Sequence, residues 1–225
     1  MSQRTGPFAA IFDWDGVIVD SSFAHERSWE LLAAEENRAL PEGHFKKGFG
    51  RKNEFFIPNI LDWSREPAEI ARIANRKEAL YREIVKDSPL EPLPGVRRLL
   101  EDLRAAGIPC TVGSSTHRAN IDLAMELLGL REFFSGIITS EDVKNGKPAP
   151  DVFLQSAATV GCVPGRGVVF EDALAGIEAG LAGGFPVIAV ATTNTPEVLA
   201  TARPTRIVHR LTEVDAALVR SLVNY

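Results

Sequence analysis

Cysteine is scarce in this chain. Cys110 and Cys162 are the only two, far apart and each in an apolar stretch. Two such thiols make neither a disulfide framework nor a CxxC metal site, so reduced thiols are expected. Positive charge is not in surplus either. Against 25 Lys and Arg stand 30 Asp and Glu, a formal net charge of −5, and no Lys/Arg run breaks the balance. A basic footprint for nucleic acid is therefore absent. Long apolar runs are missing as well: the longest, Phe185 to Ala191, is far short of the ~20 residues that span a bilayer. Met1 to Ile11 carry neither a charged n-region nor a long apolar h-region, so no signal peptide is expected. The expectation is a soluble cytoplasmic monomer that meets neither nucleic acid nor membrane.

What is present is ordinary globular material. Apolar residues make up 45% and charged residues 24% of 225, enough for one large domain or one domain plus a smaller one. Short apolar runs end abruptly in polar residues. Phe8 to Phe12 ends in Asp13-Trp14-Asp15-Gly16, Ile108 to Gly113 in Ser114-Ser115-Thr116, and Gly167 to Phe170 in Glu171-Asp172. Gly136 to Ile138 and Pro186 to Ala191 have the same texture. Runs apolar throughout, rather than alternating, suit strands buried on both faces of a parallel sheet. Helix-period segments lie between them at Val96 to Ala106, Arg118 to Leu128, Val152 to Val160 and Leu174 to Leu181. Gly107, Gly129, Gly161 and Gly183 stand where left-handed caps would end them. This alternation predicts a doubly wound α/β core, residues 1–19 and 92–225.

Residues 20–91 differ. Ser21 to Glu36 and Pro67 to Lys86 read as amphipathic helices, no strand run is evident, and Pro89, Pro92 and Pro94 punctuate the return. A small all-helical domain inserted after the first strand is expected.

Ligands in open parallel sheets bind outside the carboxyl ends of the strands. The polar residues expected there are Asp13, Asp15, Ser114, Ser115, Lys147, Glu171 and Asp172. Singly, each has an ordinary explanation: a turn-forming Asp, a helix N-cap at Ser114 to Thr116, a solvated loop lysine, or acidic residues complementing a helix dipole. Together, four carboxylates at one edge repel unless a cation neutralises them. Oxygen donors with no His or Cys nearby point to a hard ion, Mg²⁺ before Zn²⁺. A lysine and a hydroxyl supply donors for a phosphoryl group. An EF-hand fails, because Gly16 falls at loop position four and Ala24 at position twelve. No GxGxxG follows the first run.

In order and position, Asp13-Trp14-Asp15-Gly16-Val17, Ser114, Lys147-Pro148 and Glu171-Asp172-Ala173-Leu174-Ala175-Gly176 resemble the four motifs of the haloacid dehalogenase superfamily. The chain is most similar to its β-phosphoglucomutase-like phosphatases and mutases, helical cap included. The resemblance implies Asp13 as nucleophile, Asp15 as general acid/base, and Ser114 and Lys147 as holders of the phosphoryl oxygens. It implies Mg²⁺ bound by Asp13, the Asp15 backbone carbonyl and Asp172, with Glu171 a ligand or hydrogen-bonded behind one. Placing Asp13 on the metal and the Asp15 side chain off it is expected to keep the nucleophile ionised and the acid protonated. Relatives that cleave carbon–halogen or phosphonate bonds lack an acid at the Asp15 position, so its presence favours a phosphate ester.

In the inserted segment, Lys77 falls on the apolar stripe Ile70, Ile73/Ala74, Leu80/Tyr81 and Ile84. It is a snorkelling lysine by default, and His25, which shares a face with Trp29 and Leu32, is a packed histidine. Arg51, after Gly48-Phe49-Gly50, is a solvated loop arginine by default. All three match positions that β-phosphoglucomutase uses, a histidine near the acid/base, an arginine gripping the distal phosphate and a cap lysine, and Lys77 is expected to contact the leaving group. The implied activity is a Mg²⁺-dependent phosphatase of a small phosphorylated metabolite, a sugar phosphate, with a β-phosphoglucomutase-type phosphotransferase as the alternative. A non-catalytic binding module is disfavoured, because no motif residue is substituted.

Overall fold

The computed structural model describes residues 7–48, 50–88 and 90–223. Most of the stretch read for a leader, and the Phe49 and Pro89 positions, lie outside the described residues. Six strands form one sheet: β1 (Ala9–Phe12), β2 (Cys110–Gly113), β3 (Phe134–Ile138), β4 (Gly167–Glu171), β5 (Val187–Val190) and β6 (Arg206–Val208). All neighbours pair in parallel in the order β3-β2-β1-β4-β5-β6. β1 is central, Ile11 lying opposite Thr111 on one side and Val169 on the other.

The helices are α1 (Ser22–Glu35), α2 (His44–Gly48), α3 (Asn53–Phe56), α4 (Pro67–Asp87), α5 (Val96–Ala105) and α6 (Arg118–Leu128). They continue as α7 (Asp151–Ala158), α8 (Leu174–Ala182), α9 (Pro196–Ala200) and α10 (Ala216–Ser221). A π-helical turn, Ile57–Leu61, extends α3. β1 is buried on both sides: Ala10 and Phe12 join α5, α6 and α10 in one core, Ala9 and Ile11 join α7, α8 and α9 in the other. Two covered faces are what an uninterrupted apolar run requires. The direction of winding reverses between β1 and β4, so their carboxyl ends frame the crevice where such sheets bind ligands.

Between β1 and α5 the described chain is helical. Leu32, Ile57, Leu61, Ile73 and Leu80 pack under the stacked rings of Trp29 and Phe56, whose centroids are 4.8 Å apart. The outgoing and returning strands of chain meet at an antiparallel bridge between Val19 and Pro92, and the Leu93 N–H donates to the Ile18 carbonyl at 2.8 Å.

Two details depart from the sequence expectations. Gly107, Gly129 and Gly161 take positive φ, but Gly183 stays at φ −74 and the left-handed turn falls on Gly184, φ +76. With two glycines in a row, the second reverses the chain into Phe185, which is buried. The sixth strand was not expected, because its residues, Arg-Ile-Val, are few and its edge arginine is exposed. Among the described residues no helix is long and apolar enough to cross a membrane, and both cysteines are free and buried.

Candidate active site

The first motif is shaped by a tight turn. The Trp14 carbonyl accepts N–H groups from Val17, Ile18 and Val19 at 3.4, 2.9 and 3.2 Å, while the Trp14 ring is fully buried. Gly16 sits at φ +77, and a Cβ there would fall on the Asp172 carboxylate. The first and fourth motifs thus touch only because residue 16 has no side chain.

Asp13, Glu171 and Asp172 are buried, and each can place a carboxylate oxygen within 4.8 Å of the others. Lys147, in the loop after β3 and only 3% exposed, lies 2.8 Å from Asp13 Oδ1 and 2.7 Å from Glu171 Oε1. The other Glu171 oxygen accepts the backbone N–H groups of Asp172 and Ala173, both at 2.8 Å. This carboxylate therefore faces the start of α8, as the helix-dipole reading expected, and also engages Lys147. Burial drives the Asp13 carboxyl upward in pKa; Lys147 opposes the shift, and the Glu171 and Asp15 charges add to it. Burial and the Glu171 and Asp13 charges push Asp172 well above the usual carboxylate range. Burial would depress Lys147, but Asp13 and Glu171 outweigh it and raise its pKa.

Three buried carboxylates against one lysine would carry excess negative charge if all were ionised, the repulsion behind the raised pKa values of Asp13 and Asp172. Asp172 Oδ1 is moreover buried with no hydrogen-bond partner. An all-oxygen donor set of this kind suits a hard divalent cation.

Asp15 stands apart from that cluster. Its oxygens accept from the Ser21 and Thr116 hydroxyls, and His25 Nε2 lies 3.3 Å from Oδ1. Burial alone would raise its pKa, but His25, through its charge and hydrogen bond, and the two hydroxyls hold it at about 2. From the protein's own charges alone Asp13 holds its proton more tightly than Asp15; the expected order, an ionised Asp13 beside a protonated Asp15, belongs to a site with Mg²⁺ on Asp13. The physical reason is local: Asp13 shares its space with other carboxylates, whereas Asp15 is surrounded by donors.

Ser114 is buried at the end of β2, and its hydroxyl accepts the Thr116 N–H at 3.1 Å. The expected N-cap is not made: α6 begins after His117, with no side-chain cap. Ser114, Ser115 and Thr116 instead line a small cavity, about 60 Å³, together with Asp13, Asp15, His25, Trp29, Arg51, Lys77 and Glu78. A larger cleft of about 650 Å³ opens beside it and shares Phe45 and Arg51.

Lys77 does not snorkel. It is 2% exposed, with Nζ 2.6 Å from His25 Nδ1 and 3.0 Å from Glu78 Oε1, and it lies 5.5 Å from the centroid of each of the Trp29 and Tyr81 rings. His25 stacks on Tyr81 at 4.2 Å, packed as its default reading had it, yet it also bridges Lys77 to Asp15. Arg51 is half-buried, donates to the Lys147 carbonyl at 3.2 Å and lies over the Phe55 ring.

Sequence reasoning missed Ser21 and Thr116, which hold Asp15, and Glu78, which accepts from Asn53 and Asn120 at 2.7 and 2.5 Å. It also missed Thr193, whose hydroxyl donates to Asp172 Oδ2. Ser21 resembles any residue before a helix, and Thr193 belongs to no motif. Glu78 alone carried a signal, as a second charge on the apolar stripe beside Lys77.

The combination of a parallel switch-point crevice, an acidic cluster paired to a lysine and a second, separately held aspartate defines a haloacid dehalogenase-type site. A profile described as haloacid dehalogenase-like hydrolase matches residues 9–184, and the chain belongs to that family. Among similar proteins, the chloroplastic 5-amino-6-(5-phospho-D-ribitylamino)uracil phosphatase of Arabidopsis thaliana is 32% identical over 97% of this chain. The match covers 58% of the Arabidopsis protein's length. Hexitol phosphatase A of Escherichia coli is 36% identical over 92% of this chain and 88% of its own. The crystal structure of β-phosphoglucomutase from Clostridium difficile superposes with a TM-score of 0.85 at 25% identity, covering 97% of both chains.

Proposed function

We propose that this protein is a Mg²⁺-dependent phosphatase of a small phosphorylated metabolite, a sugar phosphate, working through an aspartyl-phosphate on Asp13. One observation carries the reading: Asp13 is paired to Lys147 inside an acidic cluster, while Asp15, two residues on, is held outside it by Ser21, His25 and Thr116 at the same cavity. The phosphatases and the phosphoglucomutase among its relatives support the same class of chemistry.

On this reading an Asp13 oxygen attacks phosphorus and the ester P–O bond breaks, its electron pair leaving with the sugar oxygen. Asp15 gives that oxygen a proton. Water then attacks phosphorus, the bond to Asp13 breaks, and Asp15 takes a proton back, so inorganic phosphate leaves and both aspartates are restored. Asp15 must therefore hold a proton before the first step, whereas the donors around it favour its ionised form. Asp13, the Asp15 backbone carbonyl and Asp172 would hold Mg²⁺, with Glu171 as ligand or support. When bound, the ion neutralises charge on the transferring group, without which anion would meet anion. Ser114, Ser115 and Lys147 would hold the phosphoryl oxygens.

Residues 20–91 would form the cap and residues 1–19 with 92–225 the core, with His25, Arg51 and Lys77 facing substrate from the cap side. The test is a panel of phosphorylated metabolites assayed for phosphate release, with and without Mg²⁺. β-Glucose 1-phosphate would also be followed for glucose 6-phosphate, because a β-phosphoglucomutase-type transfer would use the same Asp13. Release from a sugar or polyol phosphate supports the phosphatase; isomerisation without release would replace it with the mutase, and neither would overturn both.

A further inference from the structure

The three carboxylates of the acidic cluster are held unequally. Glu171 is fixed at both oxygens, by Lys147 and by two backbone N–H groups, and Asp13 is paired to Lys147. Asp172 has less. Among the described residues the only hydrogen bond to its side chain comes from the Thr193 hydroxyl to Oδ2, while Oδ1 is buried and unpartnered. Thr193 lies just beyond β5, next to β4, which carries Glu171 at its end and leads into Asp172. The neighbouring residues of the same segment act on the same corner. Asn194 Nδ2 donates to the Asp172 carbonyl at 3.0 Å, and Thr192 Oγ1 donates to the Gly16 carbonyl at 2.5 Å. Three consecutive residues outside all four motifs thus tie the loop after β4 to the turn after β1.

We propose that Thr193 is a positioning residue for the divalent cation, holding Asp172 Oδ2 so that Oδ1 stays presented to the ion. The inference rests on the cation reading above. Partners behind a ligand usually matter because they fix its orientation, and losing one typically costs about 10–100-fold in metal affinity. A β-branched hydroxyl suits the task, since its few rotamers leave little freedom to lose. Thr193, Gly16 and Asn194 also line the larger cleft, of about 650 Å³.

The experiment is calorimetric titration of the substrate-free protein with MgCl₂, for the natural protein, Thr193→Val, Thr193→Ser and Asp172→Asn. Thermal unfolding in chelator checks that each variant is folded; Thr193 is exposed, and Thr193→Ala serves if the valine variant is not. The expected result is a dissociation constant raised about 10–100-fold by Thr193→Val, restoration by Thr193→Ser, and loss of binding in Asp172→Asn. An unchanged constant in the valine variant, or a serine variant as weak as valine, overturns the role of the hydroxyl while the cation site stands. If the natural protein takes up no Mg²⁺, or Asp172→Asn binds as well, the cation reading itself fails and the inference falls with it.

Discussion

At the scale of single residues, two aspartates two positions apart are asked to do opposite things. Replacing Asp13 by Asn removes the attacking oxygen's charge and its pairing to Lys147 at 2.8 Å. Turnover is expected to vanish with the fold intact, and more than a few per cent of activity in a pure sample would contradict the assignment. Asp15→Asn should discriminate among substrates. General acid–base catalysis is typically worth about 10²–10⁴-fold, so alkyl phosphates should lose far more than nitrophenyl phosphate, whose leaving group needs no proton. Equal losses would remove Asp15 from that role.

Lys77 is the residue whose expectation changes most. Contact with the leaving group, as the sequence analysis expects, would by itself leave nitrophenyl phosphate, which has no sugar to grip, nearly unaffected in Lys77→Ala. The contact of Lys77 with His25 Nδ1 at 2.6 Å, and through His25 with Asp15, links it to the proposed acid/base as well. Lys77→Ala is therefore expected to lower kcat/KM by about 1–3 kcal/mol on the true metabolite, the scale of a lost charged hydrogen bond, and to slow nitrophenyl phosphate measurably too. A variant with unchanged nitrophenyl phosphate hydrolysis would sever that link.

At the scale of elements, α4 and α6 meet through a buried carboxylate. Glu78 is 3% exposed and accepts from Asn120 of α6 and Asn53 of α3, with Lys77 beside it. Burial would raise its pKa, but the Lys77, His25 and His117 charges and the Asn53 hydrogen bond outweigh it and hold it at about 2. A depressed folded-state pKa means stability present above the unfolded value and lost as pH falls through the window below it. Lowering the pH from 5 to about 2 should therefore remove on the order of 2–4 kcal/mol through this group. Denaturant unfolding between pH 7 and pH 3 should show a steeper loss for the natural protein than for Glu78→Gln. Parallel curves would mean that Glu78 carries no such linkage.

Elsewhere a missing side chain matters as much. A Cβ on Gly176, in the first turn of α8, would fall on the Glu171 carboxylate. Gly→Ala inside a helix ordinarily gains about 0.5–1 kcal/mol; here Gly176→Ala is expected to lower activity by displacing Glu171. Activity and Tm measured together would decide the matter, and a stabilised, fully active variant would show that Glu171 tolerates the move.

At the scale of the whole molecule, the sheet was legible because its strands are buried on both faces. Burial on both faces writes Phe8 to Phe12 and Gly167 to Phe170 as unbroken apolar runs, each ending in acidic residues. β6 was not legible, since an edge strand of three residues with an exposed arginine has no such signature. Most motif residues were readable because they stand at strand ends; Lys147, in the loop after β3, was readable only from the motif it resembles. The residues that support them were not: Ser21, Thr116, Glu78 and Thr193 find their partners only through tertiary packing across 6, 101, 42 and 21 positions. Local sequence can name a carboxylate near a strand end, but not the hydroxyl that will orient it.

The proposed function stands on transfer of the phosphoryl group to Asp13 itself. The most direct measurement is mass spectrometry of enzyme mixed with a turned-over sugar phosphate and Mg²⁺, quenched in acid within one turnover and digested. A phosphoryl group is expected on the peptide carrying Asp13, localised to that residue by fragmentation and absent from Asp13→Asn. Phosphate release by a protein that never carries the label, or a label on Asp15 or another side chain, would contradict the account.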